Sequence, residues 1–65
     1  MKIEVGKYYL TRSERKAFVM YRHQKREYPL RVMLFDPPLI TFYKKSGRYS
    51  IHGKSPLDLV KLIEE

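Results

Sequence analysis

The chain reads as a small, mainly β domain: a five-stranded antiparallel meander with a short C-terminal helix. Three observations predict this. Short segments rich in Tyr, Phe, Val, Ile and Thr recur along it, the composition of strands. Polar, charged or Gly/Pro-containing runs separate them, the mark of turns. Only the last stretch changes to a helical period, after a Ser-Pro pair.

The first expected strand is Lys7-Tyr8-Tyr9-Leu10-Thr11, and Arg12 to Lys16 is the turn that follows. Ala17 to Tyr21 is the second strand. Both of its faces are apolar, so a central or sandwiched place is expected. His23 to Glu27 turns the chain again. Tyr28 to Phe35 is the third strand, with Leu30, Val32 and Leu34 on one face and Arg31, Met33 and Phe35 on the other. Asp36-Pro37-Pro38 stops it, because prolines cannot donate ladder bonds. Leu39 to Tyr43 is the fourth strand. Ser46-Gly47 is expected in a hairpin turn, and Arg48 to His52 is the fifth strand, with Tyr49 and Ile51 on one side. Ser55 then suits a helix N-cap, Pro56 the first helical position and Asp58 the reciprocal place in a capping box. Leu57, Val60 and Ile63, with Leu59 nearby, would form the buried stripe of a helix too short to stand alone. Glu64 and Glu65 oppose the helix dipole and would fray. The sheet either curls into an SH3-like barrel or stays open beneath the helix. The curled form is favoured because several strands are apolar on both faces.

Sixty-five residues make a single domain, spanning 1–65. A chain of this length buries only about 60% of its unfolded surface, so its core is marginal. Apolar area left over makes homodimerisation an open expectation. There is no Cys, which excludes disulfides, thiol catalysis and thiolate metal sites. The 43% hydrophobic content, with six Tyr and three Phe, argues for a folded chain. No apolar run approaches the roughly 18 residues of a membrane span. The N-terminal residues lack the apolar core of a signal peptide. No membrane partner is expected.

Fourteen Lys and Arg against seven Asp and Glu give a formal charge of +7. Such an excess favours an acidic partner, either nucleic acid or an acidic protein. The excess is concentrated in the turns. Alternate turns of a meander lie at the same end of the sheet, so Arg22, Lys25 and Arg26 should meet Lys44, Lys45 and Arg48. Tyr21, Tyr28, Tyr43 and Tyr49 flank those turns. The six cations are the candidate phosphate-binding groups. Tyr21, Tyr43 and Tyr49 are the candidate stacking groups for unpaired bases. The competing explanation is that these charges merely solvate turns and deter edge pairing. Arg12, Arg15 and Lys16 should lie at the other end, near Asp36.

No catalytic constellation is present. Gly53-Lys54-Ser55 lacks the Gly spacing of a phosphate-binding loop, since five rather than four residues separate Gly47 from Gly53. His23 and His52 have no companions at metal-ligand spacing, so no metal or cofactor is expected. His23 is expected at the surface. No Ser has an evident base partner. A non-enzymatic role is therefore expected.

The runs Val5-Gly6-Lys7-Tyr8-Tyr9-Leu10-Thr11-Arg12, Lys16-Ala17-Phe18-Val19 and Tyr28-Pro29-Leu30 form a pattern. Ser46-Gly47-Arg48-Tyr49-Ser50-Ile51 and Ser55-Pro56-Leu57-Asp58-Leu59-Val60 complete it. Together they resemble small uncharacterised proteins encoded by tailed bacteriophages and prophages. The resemblance implies an accessory protein that acts by binding, in the cytoplasm of a bacterial host. No functional residue carries over from it. Two functions follow as expectations: nucleic-acid binding through the basic, Tyr-rich end, or inhibition of a bacterial host or defence protein by protein–protein binding.

Overall fold

Strand-forming segments pair wherever a short turn lets their backbones meet. The computed structural model describes residues 2–50 and 52–63. It holds five strands: β1 (Tyr8–Thr11), β2 (Lys16–Arg22), β3 (Leu30–Leu34), β4 (Leu39–Tyr43) and β5 (Leu59–Ile63). All pairings are antiparallel, in the order β4-β3-β2-β1-β5. The first four strands form the expected meander. β3 is shorter than expected, beginning at Leu30 after Pro29 rather than at Tyr28.

Two expectations fail at the C-terminal end. The first is the helix: the chain enters β5 instead. The capping chemistry does form. Ser55 Oγ accepts from the Leu57 amide at 3.2 Å, and Asp58 Oδ2 accepts from the Ser55 amide at 3.0 Å. The Asp58 amide also donates to the Ser55 carbonyl at 3.1 Å. It caps a single turn. A helix of so few residues does not recover its nucleation cost. The outer edge of β1 offers a ladder instead, pairing Tyr9 with Leu62 and Thr11 with Leu59. The apolar spacing of this segment fits either period. Glu64 and Glu65, expected to fray, lie outside the described residues.

The second failure is the strand over 48–52. Lys44 N donates to Arg48 O and Gly47 N to Lys44 O, at 2.9 and 2.8 Å, so the turn begins as a hairpin would. Gly47 takes the expected positive φ, +89°. The Tyr49 amide then donates 2.9 Å to Asp58 Oδ1 and not to β4. Among the described residues of 48–52 none is in a strand; Ile51 lies outside them. Residues 44–58 instead form a strap. Because β5 adds beside β1, β4 and β5 remain separate edges and the sheet is open. No SH3-like barrel forms.

The sheet has one packed face. Tyr9, Ala17, Val19, Leu30, Val32, Leu34, Tyr43 and Leu59 form this inner core with Ile3 of the N-terminal segment. Each of its Val, Leu and Ile side chains is worth about 1.5–3 kcal/mol when fully buried. The strap covers the inner face. Tyr43 donates its hydroxyl to the Leu57 carbonyl at 2.6 Å, and the Leu59 amide donates to the Gly47 carbonyl at 3.0 Å. A Cβ on Gly47 would stand 3.1 Å from Ile3. The N-terminal segment is tied down through Tyr9, whose hydroxyl oxygen accepts from the Glu4 amide at 2.9 Å.

Asp58 fastens the strap. The residue is only 3% exposed. Burial pushes its pKa up, but the Tyr49 and Ser55 amides and the Arg12 guanidinium outweigh that and hold it below the ordinary value. The Arg12 contact, 3.3 Å long, is half open to solvent, so the amide bonds carry most of the stabilisation. Asp58→Asn is expected to cost about 1.5–3 kcal/mol, a fall in Tm on the order of 10 °C. A carboxylate with a depressed folded pKa stabilises above its unfolded pKa and ceases to as pH falls through the folded one. Thermal melts should therefore show the gap between wild type and variant steady at neutral pH and narrowing only below about pH 3.8.

Candidate nucleic-acid interface

The two basic turns do meet. β2 ends at Arg22, and the wide turn beyond it is closed by the His23 amide donating 2.7 Å to the Pro29 carbonyl. Lys25 within it has a positive φ of 59°. The strap leaves β4 at the same end of the sheet. Arg22, His23, Lys25, Arg26, Glu27 and Lys45 line one hollow of about 530 Å³. Arg22 and Lys45 also border a second hollow of about 370 Å³, shared with Lys2 and Ser46. None of the cations Arg22, Lys25, Arg26, Lys44, Lys45 or Arg48 makes an ion pair among the described residues.

The other three sequence-named cations are differently placed or differently employed. Arg12 is bound to Asp58 Oδ2 and the Ser55 carbonyl. Arg15 donates to the Phe35 and Pro37 carbonyls at 3.0 and 2.6 Å, which puts the first turn beside Asp36 as expected. Lys16 lies over the Tyr8 ring, 4.6 Å from its centroid. The basic excess at that end is thus largely spent on protein contacts.

Not every residue named from the sequence lines the hollow. Lys44 is half-buried, with its Nζ 5.9 Å from the Tyr28 ring. Arg48 is exposed in the strap turn but does not border the hollow. The stacking role expected of Tyr43 does not fit its position: the ring is 0% exposed and belongs to the core. Its hydroxyl is held protonated, burial being the largest reason its pKa rises. Tyr49 packs edge-on against Tyr43 at 5.5 Å and is half-buried. Of the three, Tyr21 alone is open, at 56% exposure.

Three contributors were not visible in the sequence. Lys2 reaches the basic end because Ile3 is anchored in the core. His23, expected at the surface, is half-buried, its ring 4.9 Å from Tyr21 and 5.9 Å from Phe42. Arg31 sits across the ladder from both Tyr21 and Phe42. Strand alternation alone places Arg31 opposite the core face, but only the pairing register brings the two aromatics beside it. The Gly53-Lys54-Ser55 run precedes a turn and a strand, so it presents no helix N-terminus to an anion.

No family model matches the chain, and neither a curated protein nor a solved structure matches it. The site therefore rests on its own geometry.

Desolvation, with the Arg26 and Arg31 charges, pushes the His23 imidazole below its ordinary pKa. A histidine with a lowered folded pKa stabilises above its unfolded pKa and loses that contribution as pH falls. NMR titration of the His23 ring should give a midpoint below 6.5. Arg26→Gln should move it back towards that value, and a midpoint unmoved by the substitution would show that the neighbouring charge does not act on the ring.

Proposed function

We propose that this protein is a non-catalytic accessory protein of the phage type its sequence resembles, binding nucleic acid through the basic end of the sheet in a bacterial host cytoplasm. The observation that carries this reading is the convergence of Arg22, Lys25, Arg26 and Lys45 on one hollow, with no carboxylate among the described residues ion-paired to them. Free, clustered cations gain most from phosphates, because each neutralised phosphate releases condensed counterions. Glu27 on the rim reduces the local charge without cancelling it. Lys44, Arg48 and Lys2 extend the positive field around the hollow.

A second reading has its own observation. β4 is an open edge with the sequence Leu-Ile-Thr-Phe-Tyr, and Leu39 and Ile40 are each 49% exposed. It carries none of the charges that usually blunt an edge. A host or defence protein could add a strand there by β-augmentation, or a second copy of this chain could pair through it. A stoichiometric protein complex that survives nuclease treatment would favour this reading.

Fluorescence anisotropy against RNA, single-stranded DNA and duplex DNA across a salt series tests the first reading. Each phosphate contact on a single strand should contribute roughly −0.7 to the slope of log affinity on log salt. Reversing Lys25 and Lys45 together (Lys25→Glu with Lys45→Glu) should abolish measurable binding near physiological salt and flatten the slope. Affinity unchanged by the double reversal would rule the hollow out as the phosphate site.

A further inference from the structure

Directly opposite residues of an antiparallel ladder share a face. The outer face is therefore read from the register. Ile63, Tyr8, Phe18, Met33 and Ile40 form one row across all five strands. Tyr21, Arg31 and Phe42 form a second, shorter row nearer the basic end. The strap and the N-terminal segment both pack on the inner face, through Tyr43, Gly47, Ile3 and Tyr9. Among the described residues, the outer rows are met only by single side chains, Lys16 over the Tyr8 ring and His23 between Tyr21 and Phe42.

The shorter row contains two polar groups that the fold leaves unsatisfied. The Nε of Arg31 and the Nε2 of His23 are shielded from water and have no hydrogen-bond partner. Unpaired buried polar groups cost folding free energy, so each calls for an explanation. Two aromatic rings, Tyr21 and Phe42, stand beside His23, and both lie across the ladder from Arg31. His23 also borders the basic hollow, so it joins the two regions.

We propose that the Tyr21–His23–Arg31–Phe42 cluster is the seat of one unpaired nucleobase of a single strand whose phosphates lie at the Arg22–Lys25–Arg26–Lys45 hollow. This rests on the nucleic-acid reading and names its substrate class. A nucleobase offers what the cluster lacks: a flat ring for the aromatic faces and in-plane acceptors for the Arg31 guanidinium and the imidazole edge. The neutral imidazole keeps one donor and one acceptor, which suits a base edge better than a second phosphate. An apolar protein segment would cover Tyr21 and Phe42 but bring no negative charge to match the adjacent cations. A duplex keeps its bases stacked inside and would reach only the hollow.

Anisotropy with a short single-stranded RNA, the duplex of the same sequence and base-free inorganic polyphosphate separates the two levels of the reading. Tyr21 is exposed, so Tyr21→Ala leaves the core intact, and circular dichroism checks its fold. Tyr21→Ala and Arg31→Met are each expected to weaken single-strand binding about tenfold. Tyr21→Ala should leave polyphosphate affinity and the salt slope unchanged. Wild type should prefer the single strand to the duplex. If folded Tyr21→Ala binds all three probes like wild type, the base seat is wrong while the basic hollow stands. Equal wild-type affinity for single strand and duplex has the same meaning. If wild type binds none of the three near physiological salt, the hollow and the base seat both fall.

Discussion

The carboxylate of Asp58 joins three stretches of chain that are far apart in sequence. It accepts the amides of Tyr49 and Ser55 and meets the guanidinium of Arg12 beyond β1. Its own carbonyl accepts the Arg12 amide at 2.8 Å, and the Ser13 amide bonds the Pro56 carbonyl. One side chain thus turns the strap back, seats it on the inner face and delivers β5 to β1. The register of β5 and the cover that Leu57 and the rest of the strap lay over Tyr43 follow from it. Charge-assisted bonds at a nearly buried site can carry this because they are several and mostly to backbone.

That arrangement uses the strap for the inner face alone. A chain this short has one covering layer to give, and it goes where Val19, Val32, Leu34 and Tyr43 need it. The outer face is left with Tyr8, Phe18, Met33, Phe42 and Ile40 in cross-strand rows. Mutual packing keeps most of these half-buried: Tyr8 and Phe18 rings lie 4.7 Å apart. The same economy explains the asymmetry of charge. Cations at the first turn are occupied by Asp58, by carbonyls or by an aromatic ring, whereas those at the second turn and the strap surround an open hollow. Among the described residues the molecule is therefore basic and without ion pairs at one end, and aromatic on the adjoining face, which the strap does not reach.

Much of this was legible in the sequence because it depends on local chemistry. The strands β1 to β4 follow from β-branched and aromatic runs between turn residues, and Leu39–Tyr43 matches its expected bounds. The meeting of the second turn with the strap turn follows from hairpin connectivity alone, and with it the place of Arg22, Lys25 and Lys45. Burial of Tyr43 was not legible, since a Tyr at a strand end can face the core or solvent with equal local propensity. Arg31 and His23 were hidden for a related reason: their neighbours come from other strands.

The last third of the chain marks the boundary most clearly. Ser55, Leu57 and Asp58 make the capping bonds their spacing predicts, because those bonds span only a few residues. Whether the next residues coil or extend was decided elsewhere. Leu59 to Ile63 satisfies a helical and a strand pattern alike, and the unpaired edge of β1 supplied the partner that settled it. The sequence by itself determined the turns, the strand-forming segments, the capping turn and the ends at which charge gathers. Tertiary structure decided the fate of the C-terminal segment, the open sheet and the face left uncovered, because each depends on which backbone edge and which apolar surface the rest of the chain left available.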